Sequence, residues 1–385
     1  MGTEERYDAI VIGAGMAGLA AAHALSDRSV LLIEREARLG GRVLTVEQAS
    51  GLVDLGACFA FNVALLPAGA PAPRESSEER GAIGVHYAGK LVFADTADAL
   101  LSQLPSTARG AVLRSLFHQI HPGELAEYEE SRRSDALFDF FPDHWAERNG
   151  ALVSAYERAL KARVERGCSV TRLDERAREV VVEYENGTTR RVAAARAVIV
   201  ATDACVARSL VVPSDPACAQ FLHAVRYARY TVVAFRLEGV TLEPDFRFIV
   251  TPDAKLSLVM QQSPSDRSSR ALLAYYADRA SQFADTLDDA ALTEHTRQEL
   301  MQLGVAGLDV RQAPATVKRW AISGTILSAE YAALKRAEFA RPTRRVFLAG
   351  DYLALPPGWG YGLDDAVASG RSTGALLQRA LESER

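Results

Sequence analysis

Apolar positions along the chain fall into three rhythms. Short continuous runs occur at residues 7–12 (YDAIVI), 30–33 (VLLI), 197–201 (AVIVA) and 345–349 (RVFLA). Runs this short, rich in β-branched residues and lacking alternation, predict strands buried on both faces of a parallel sheet. Apolar and polar residues alternate over 170–182 and 188–200, on either side of Asn186-Gly187. That dipeptide suits a tight hairpin turn, because both residues tolerate positive φ. Further strands are predicted at 230–237, 246–250, 256–261 and 271–276, with a polar loop at 262–270. Helical spacing marks 17–25, 148–164, 287–303 and 362–381, and a long stretch from 91 to 128. Residues 66–84 carry three prolines and a string of charged residues, and read as a loop.

The order strand, glycine turn, helix, strand over residues 7–33 is a βαβ unit. Runs at 197–201 and 345–349 have the same buried-strand character, so the two ends of the chain are expected in one sheet. The alternating strands of the middle are expected in a second sheet. The fold class predicted is α/β: a Rossmann-like dinucleotide-binding domain with an inserted α+β substrate domain containing a mainly antiparallel sheet. The expected division gives residues 1–60, 160–212 and 340–385 to the first domain and 61–159 and 213–339 to the second.

Chemistry enters at the first turn. Gly13-Ala14-Gly15-Met16-Ala17-Gly18 has the spacing G-x-G-x-x-G, between a predicted strand and a predicted helix. In such a turn Gly13 permits the tight bend, Gly15 lets a pyrophosphate approach the backbone, and Gly18 lets the helix pack on the strand. The helix N-terminus offers free N–H groups and a partial positive charge to phosphate. Glu34 ends the second strand, 21 positions after Gly13, where a carboxylate holds a ribose diol. Its negative charge opposes a 2′-phosphate, although Arg35 stands beside it. These residues are expected to bind the ADP half of a dinucleotide.

Composition narrows the setting. The 385 residues are 48% hydrophobic and 24% charged with net charge −5, a balance ordinary for a soluble globular protein of two domains. No long Lys/Arg run is present, which argues against nucleic acid. Cys58, Cys168, Cys205 and Cys218 form no C-x-x-C pair and no zinc spacing, and read as reduced thiols; no metal is expected. No apolar run reaches the ~18–20 residues of a membrane span, and no signal segment precedes the first strand. A cytoplasmic protein without a transmembrane segment is expected. Its oligomeric state stays open, with a homodimer as one option.

Three further segments carry a resemblance. Arg38-Leu39-Gly40-Gly41-Arg42 and then Val53-Asp54-Leu55-Gly56-Ala57 follow Glu34. Gly167-Cys168-Ser169-Val170 leads to Val198-Ile199-Val200-Ala201-Thr202. Near the end come Val346-Phe347-Leu348-Ala349-Gly350-Asp351 and Gly360-Tyr361-Gly362-Leu363-Asp364-Asp365-Ala366. In this order the chain resembles the flavin-containing amine oxidase superfamily, which spans monoamine and polyamine oxidases, amino-acid oxidases, renalase-like proteins, protoporphyrinogen oxidase and phytoene desaturases. The resemblance implies non-covalent FAD, with no cysteine after Cys218 to attach it. It implies that Val170 meets the adenine through its backbone and that Asp351 holds the ribityl chain. The helix opened by Gly362, Leu363 and Ala366 would point its positive end at the flavin pyrimidine. Together with Gly13 to Gly18, Glu34, Arg35, Gly40 to Arg42, Gly56, Ala57, Ala201, Thr202, Gly350 and Tyr361, these form the expected cofactor site.

The implied reaction is hydride transfer from a small-molecule substrate to flavin N5, with O2 or another acceptor reoxidising the flavin. An amine or amino-acid-derived metabolite is the first reading of the substrate. An apolar, isoprenoid-like substrate is the second, and a catalytically silent flavin-binding protein the third. The family's water-holding lysine has no counterpart in Ala228-Arg229-Tyr230-Thr231-Val232-Val233, and Lys255 and Lys318 are expected at the surface. Tyr230, Tyr275, Trp320, Trp359 and Tyr361 are the candidates to line the substrate site. The scattered His86, His118, His121, His144, His223 and His295 are read as structural. No catalytic acid or base stands out.

Overall fold

A computed structural model describes residues 5–48, 51–58, 63–71, 81–110, 112, 148–262, 269–277, 279–326, 328–354 and 362–383. The strands in chain order begin with β1 (Glu5–Ile12), β2 (Val30–Glu34), β3 (Thr45–Gln48), β4 (Gly51–Asp54), β5 (Ala82–Tyr87) and β6 (Lys90–Ala94). They continue with β7 (Arg163–Arg166), β8 (Ser169–Glu175), β9 (Val180–Asn186), β10 (Thr189–Val200), β11 (Arg226–Tyr227) and β12 (Tyr230–Glu238). Last come β13 (Phe246–Val250), β14 (Leu258–Gln262), β15 (Ser269–Ala277), β16 (Ala315–Trp320), β17 (Thr325–Ile326) and β18 (Val346–Leu348).

The first sheet runs β7-β2-β1-β10-β9-β8, with β18 also paired to β10. β1, β2, β7, β10 and β18 are mutually parallel, as the continuous apolar runs predict. On the edge away from β1, β10 serves two partners along its length. Its Thr189–Ala195 stretch pairs antiparallel with β9, and Val198–Val200 pairs parallel with β18. This Rossmann-like sheet brings the two ends of the chain together. Helix α1 (Met16–Ala24) packs on it beside the last helix, Leu363–Ser383. Their approach is close enough that a Cβ at Gly370 would lie 2.1 Å from the Ala17 carbonyl oxygen.

The second sheet runs β16-β12-β15-β14-β13-β5-β6. Its neighbours pair antiparallel except β13 with β5, which are parallel. Each face is apolar. One face carries Val232, Ala234, Leu273 and Tyr275, packed with Val53, Leu55 and Cys58. The opposite face carries Val233, Phe235 and Tyr276, covered by Leu292 and Leu300 of the helix Asp289–Gln302.

Several expectations are corrected. The 91–128 stretch is not one helix: Leu91–Ala94 belong to β6, a helix follows at Ala97–Ser102, and residues 113–128 lie outside the described part. β5 and β6 join through Ala88 and Gly89 at φ 50° and 72°, the paired positive φ of a tight hairpin. The apolar and aromatic residues of 91–94 thus serve a strand pair that their helical spacing concealed. The 170–182 alternation breaks at residues 176–179, where the Arg176 N–H donates to the Glu179 carbonyl at 2.8 Å and separates β8 from β9. The helix expected over 148–164 is Gly150–Ala159. It packs Leu152 and Tyr156 into the same core as α1, and the chain is already extended by Arg163.

Candidate cofactor and substrate site

The first turn forms as its glycines require. Gly13 has φ 93°, and a Cβ there would lie 2.8 Å from the Ala201 carbonyl oxygen. At Gly18 a Cβ would lie 1.8 Å from the Gly13 carbonyl oxygen. Thr202 flanks the same turn, its methyl 3.3 Å from the Gly13 Cβ position. In front of Gly15 the space is open: a Cβ would meet only the Gly41 Cα, at 3.9 Å. Gly15 is the N-cap of α1, and no side chain caps the helix there. The first-turn N–H groups beyond it, including those of Met16 and Ala17, have no intrahelical acceptor. Such a terminus accepts a pyrophosphate.

Glu34 is buried at the end of β2. Its carboxylate accepts the Ala14 N–H at 2.6 Å and the Glu36 N–H at 2.8 Å, so it closes the turn from behind while each oxygen retains lone-pair capacity. Arg35 does not join this group; its exposed guanidinium lies beside Glu36. Gly167 and Cys168 donate their N–H groups to the carbonyls of Glu36 and Glu34. Those bonds bring the segment of Val170 to the same end of the sheet.

The Gly-Gly-Arg segment docks on the turn. Gly40 bridges to Gly15, its N–H donating to the Ala14 carbonyl at 2.8 Å. A Cβ at Gly41 would lie 2.9 Å from the Gly15 Cα. Arg38 braces this loop through the carbonyls of Leu39, Gly41 and Val43. Gly56 and Ala57 lie against Arg42: the Ala57 N–H donates to the Arg42 carbonyl at 3.0 Å, and a Cβ at Gly56 would lie 2.1 Å from that oxygen.

Arg42 itself reaches the far end of the chain. Its guanidinium donates to both Asp351 oxygens, at 2.9 and 2.8 Å, and to the Ser323 carbonyl. Asp351 stands in the turn after β18, and the Gly350 N–H donates to Ser369 Oγ in the last helix at 3.0 Å. Tyr227 lies beside this pair and accepts the Ala204 N–H at 2.8 Å. Burial, reinforced by the Asp351 charge, holds the Tyr227 phenol well above its usual range. Sequence patterns gave Arg38 no role and missed Ser323 and Tyr227, because two act through backbone carbonyls and the third is defined by a tertiary neighbour.

The last helix begins at Gly362, whose carbonyl accepts the Ala366 N–H at 3.1 Å. Leu363 and Ala366 pack into the core shared with α1. Asp364 and Asp365 occupy its first turn. Burial, then the neighbouring Asp365, pushes the Asp364 carboxyl up to about 6.

The aromatic candidates Tyr230, Tyr275 and Trp320 converge on one face of the second sheet. Tyr230 stands opposite Trp320 in the β12–β16 register, and Val232, two residues on, stands opposite Tyr275. This face is tied to the segment that continues from Arg42. The Trp320 Nε1–H donates to the Leu55 carbonyl at 2.7 Å. Tyr275 donates its hydroxyl to Cys58 Sγ at 3.7 Å. The Asp54 N–H donates to Gln262 Oε1 at 2.9 Å. Asp54 is fully buried, its carboxylate accepting the Thr45 hydroxyl and the Asn149 N–H. Trp359 and Tyr361 lie outside the described residues.

Lys255 is exposed as expected, but Lys318 is not a surface lysine. It is half-buried on the aromatic face, opposite Val232, with its ammonium 4.3 Å from the Trp320 ring centroid. Among the described residues no group of three or more His, Cys, Asp or Glu side chains is placed to hold a metal. No helix among them is long and apolar enough to cross a membrane.

The glycine-lined approach at Gly15, the uncapped helix and the Arg42–Asp351 bridge fit a dinucleotide that extends from the first turn to the last helix. Comparison with known proteins agrees with that geometry. The fold is similar to cyclohexylamine oxidase from Brevibacterium oxydans IH-35A, at 17% identity and TM-score 0.75, over 98% of this chain and 100% of that one. A variant of putrescine oxidase superposes with TM-score 0.73 at 16% identity, over 98% and 100% of the two chains. A protein assigned as a protoporphyrinogen oxidase from Exiguobacterium sp. 255-15 gives TM-score 0.70 at 16% identity, over 98% and 100%. An NAD(P)-binding Rossmann-like domain profile matches residues 11–63. The profile of flavin containing amine oxidoreductases matches residues 70–377. The chain therefore belongs to the flavin containing amine oxidoreductase family, and is a flavin-dependent oxidoreductase.

Proposed function

We propose that the protein binds FAD non-covalently and oxidises an amine or amino-acid-derived metabolite. The observation that carries this reading is the continuous run of contacts from Gly13–Gly18 through Gly40–Arg42 to Asp351, with the aromatic face of the second sheet joined to it at Leu55. The first turn and Glu34 hold the ADP half. Arg42, Gly56, Ala57, Asp351 and the start of the last helix hold the rest, with Val170 beside the adenine. The domain division given above follows the two sheets, with Gly150–Ala159 moved to the FAD side because it packs against α1.

FAD supplies the hydride acceptor, and O2 or another acceptor reoxidises it. The substrate loses a hydride from carbon and a proton from nitrogen, giving an imine. The chain positions the substrate against Tyr230, Tyr275 and Trp320, and the packed apolar residues of this face limit access of water. The half-buried Tyr230 and Trp320, paired across β12 and β16, give this face an aromatic edge that favours a substrate with a hydrophobic body. That feature also supports the second reading, dehydrogenation of an apolar, isoprenoid-like substrate.

Anaerobic titration of the FAD-loaded protein tests these readings. Bleaching of the flavin by amines or amino acids supports the proposal. Bleaching by isoprenoids alone supports the second reading, and bleaching by dithionite alone supports a silent flavin-binding protein. Release of FAD on acid precipitation checks that it is non-covalent.

A further inference from the structure

Lys318 is a cation placed where the described structure offers it no counter-charge. It is half-buried on the face that carries Tyr230, Tyr275 and Trp320, and among the described residues it makes no ion pair and no hydrogen bond. Its companion Arg319 points to the opposite face, where it pairs with Asp289 and the Leu287 carbonyl. Asp54, between Val53 and Leu55 of the core on this face, is already occupied by Thr45 and Asn149. The position of the ammonium is set by Trp320, whose ring lies 4.3 Å beneath it and is itself pinned to the Leu55 carbonyl. A cation–π contact of this kind orients an ammonium but leaves its N–H donors unsatisfied. A partly desolvated, fixed cation on an apolar aromatic face matches an anion with a hydrophobic body.

We infer that Lys318 is a specificity-determining residue that binds a carboxylate on the substrate. The inference rests on the flavin-dependent reading above and deepens it. A substrate lying along the half-buried Tyr230 and Trp320, with its oxidised carbon toward Leu55–Ala57, turns its far end to Lys318, so the preferred amines carry a carboxylate remote from the oxidised carbon, as ω-amino acids do, rather than being simple amines.

The test uses the full chain loaded with FAD and follows the flavin absorbance during titration with benzoate and, separately, benzylamine. FAD retention is measured first. Benzoate is expected to perturb the flavin spectrum more strongly and at lower concentration than benzylamine. Lys318→Met should weaken benzoate binding by about 10-fold or more, the scale of a lost charge-assisted hydrogen bond. Lys318→Arg should stay within about 3-fold, since the charge is kept. FAD affinity should be the same in all three proteins.

Equal benzoate affinity in wild type and Lys318→Met overturns the inference, as does tighter binding of benzylamine than benzoate by the wild type. If Lys318→Met does not fold, the wild-type comparison and Lys318→Arg still decide. Failure of the wild type to retain FAD defeats the flavin reading itself. Retention of FAD with indifference to benzoate defeats only the role of Lys318.

Discussion

Arg42 and Asp351 are 309 positions apart in the chain and form a two-pronged ion pair, with the Asp351 side chain only 2% exposed. The pair joins the loop after the first βαβ unit to the turn before the last helix. Removing the arginine strands a buried carboxylate, which costs about 3–5 kcal/mol when both partners are buried. Arg42 is partly exposed, so Arg42→Ala should lower unfolding free energy by about 3 kcal/mol, the low end of that range. Asp351→Asn should cost less, because no buried negative charge is left behind. Urea unfolding of the two variants checks the order.

Glu34→Ala should weaken FAD binding while leaving the fold intact. Its carboxylate satisfies the Ala14 and Glu36 N–H groups, and in the proposed reading it also holds the ribose. Loss of stability should be about 1–3 kcal/mol for the unsatisfied buried donor. Loss of FAD affinity should exceed 10-fold. Titration with FAD, read by flavin fluorescence, separates the two effects when set beside thermal unfolding.

Gly370→Ala tests the approach of α1 to the last helix. A methyl there would lie 2.1 Å from the Ala17 carbonyl oxygen, so the helices must separate. Overpacking of this kind costs about 1–3 kcal/mol or more. In an exposed helix the same change would stabilise, because alanine is the better helix former. A lowered Tm therefore reports the close packing directly.

Asp364 should make the protein less stable as pH rises. Burial and Asp365 raise its folded pKa to about 6, from an ordinary value of 3.8. Between those two values the folded state binds more proton than the unfolded one, so unfolding free energy falls with increasing pH. The penalty is absent below the lower value and complete above the upper one. Asp364→Asn should raise Tm at pH 8 relative to wild type and leave it nearly unchanged at pH 4. A gain of equal size at both pH values would contradict the assignment.

Cys58 should resist alkylation until the protein unfolds. Burial raises its thiol to about 12, and the thiolate is the reactive form. Cys205 is the only one of the four cysteines that is not buried and should be labelled first by iodoacetamide. Peptide mass spectrometry of native and urea-treated protein gives the order.

Parts of the architecture were legible because they depend on neighbours in sequence. The runs at 7–12, 30–33 and 197–201 are buried on both faces, and their composition says so without further context. β5 was hidden because residues 66–84 read as a loop, whereas Ala82–Gly84 already belong to the strand, and β6 because four residues such as Leu91 to Ala94 fit either a strand or the first turn of a helix. β16 was missed because an edge strand carries exposed and charged positions, here Thr316, Lys318 and Arg319, that dilute its alternation. Arg35 was placed near the cofactor by adjacency to Glu34, but successive residues of a strand end face opposite ways.

The sequence by itself determined the first turn. Gly13, Gly15, Gly18 and Glu34 are constrained by backbone conformation and by spacing within one βαβ unit, and both are written in contiguous residues. Only the tertiary structure decided that Arg42 meets Asp351, that Tyr230 stands opposite Trp320, and that Lys318 lies on the aromatic face. Strand order and register set those relationships, and register depends on how whole sheets bury their faces. A one-residue shift of β16 would turn Lys318 to the other side without changing a letter of the chain.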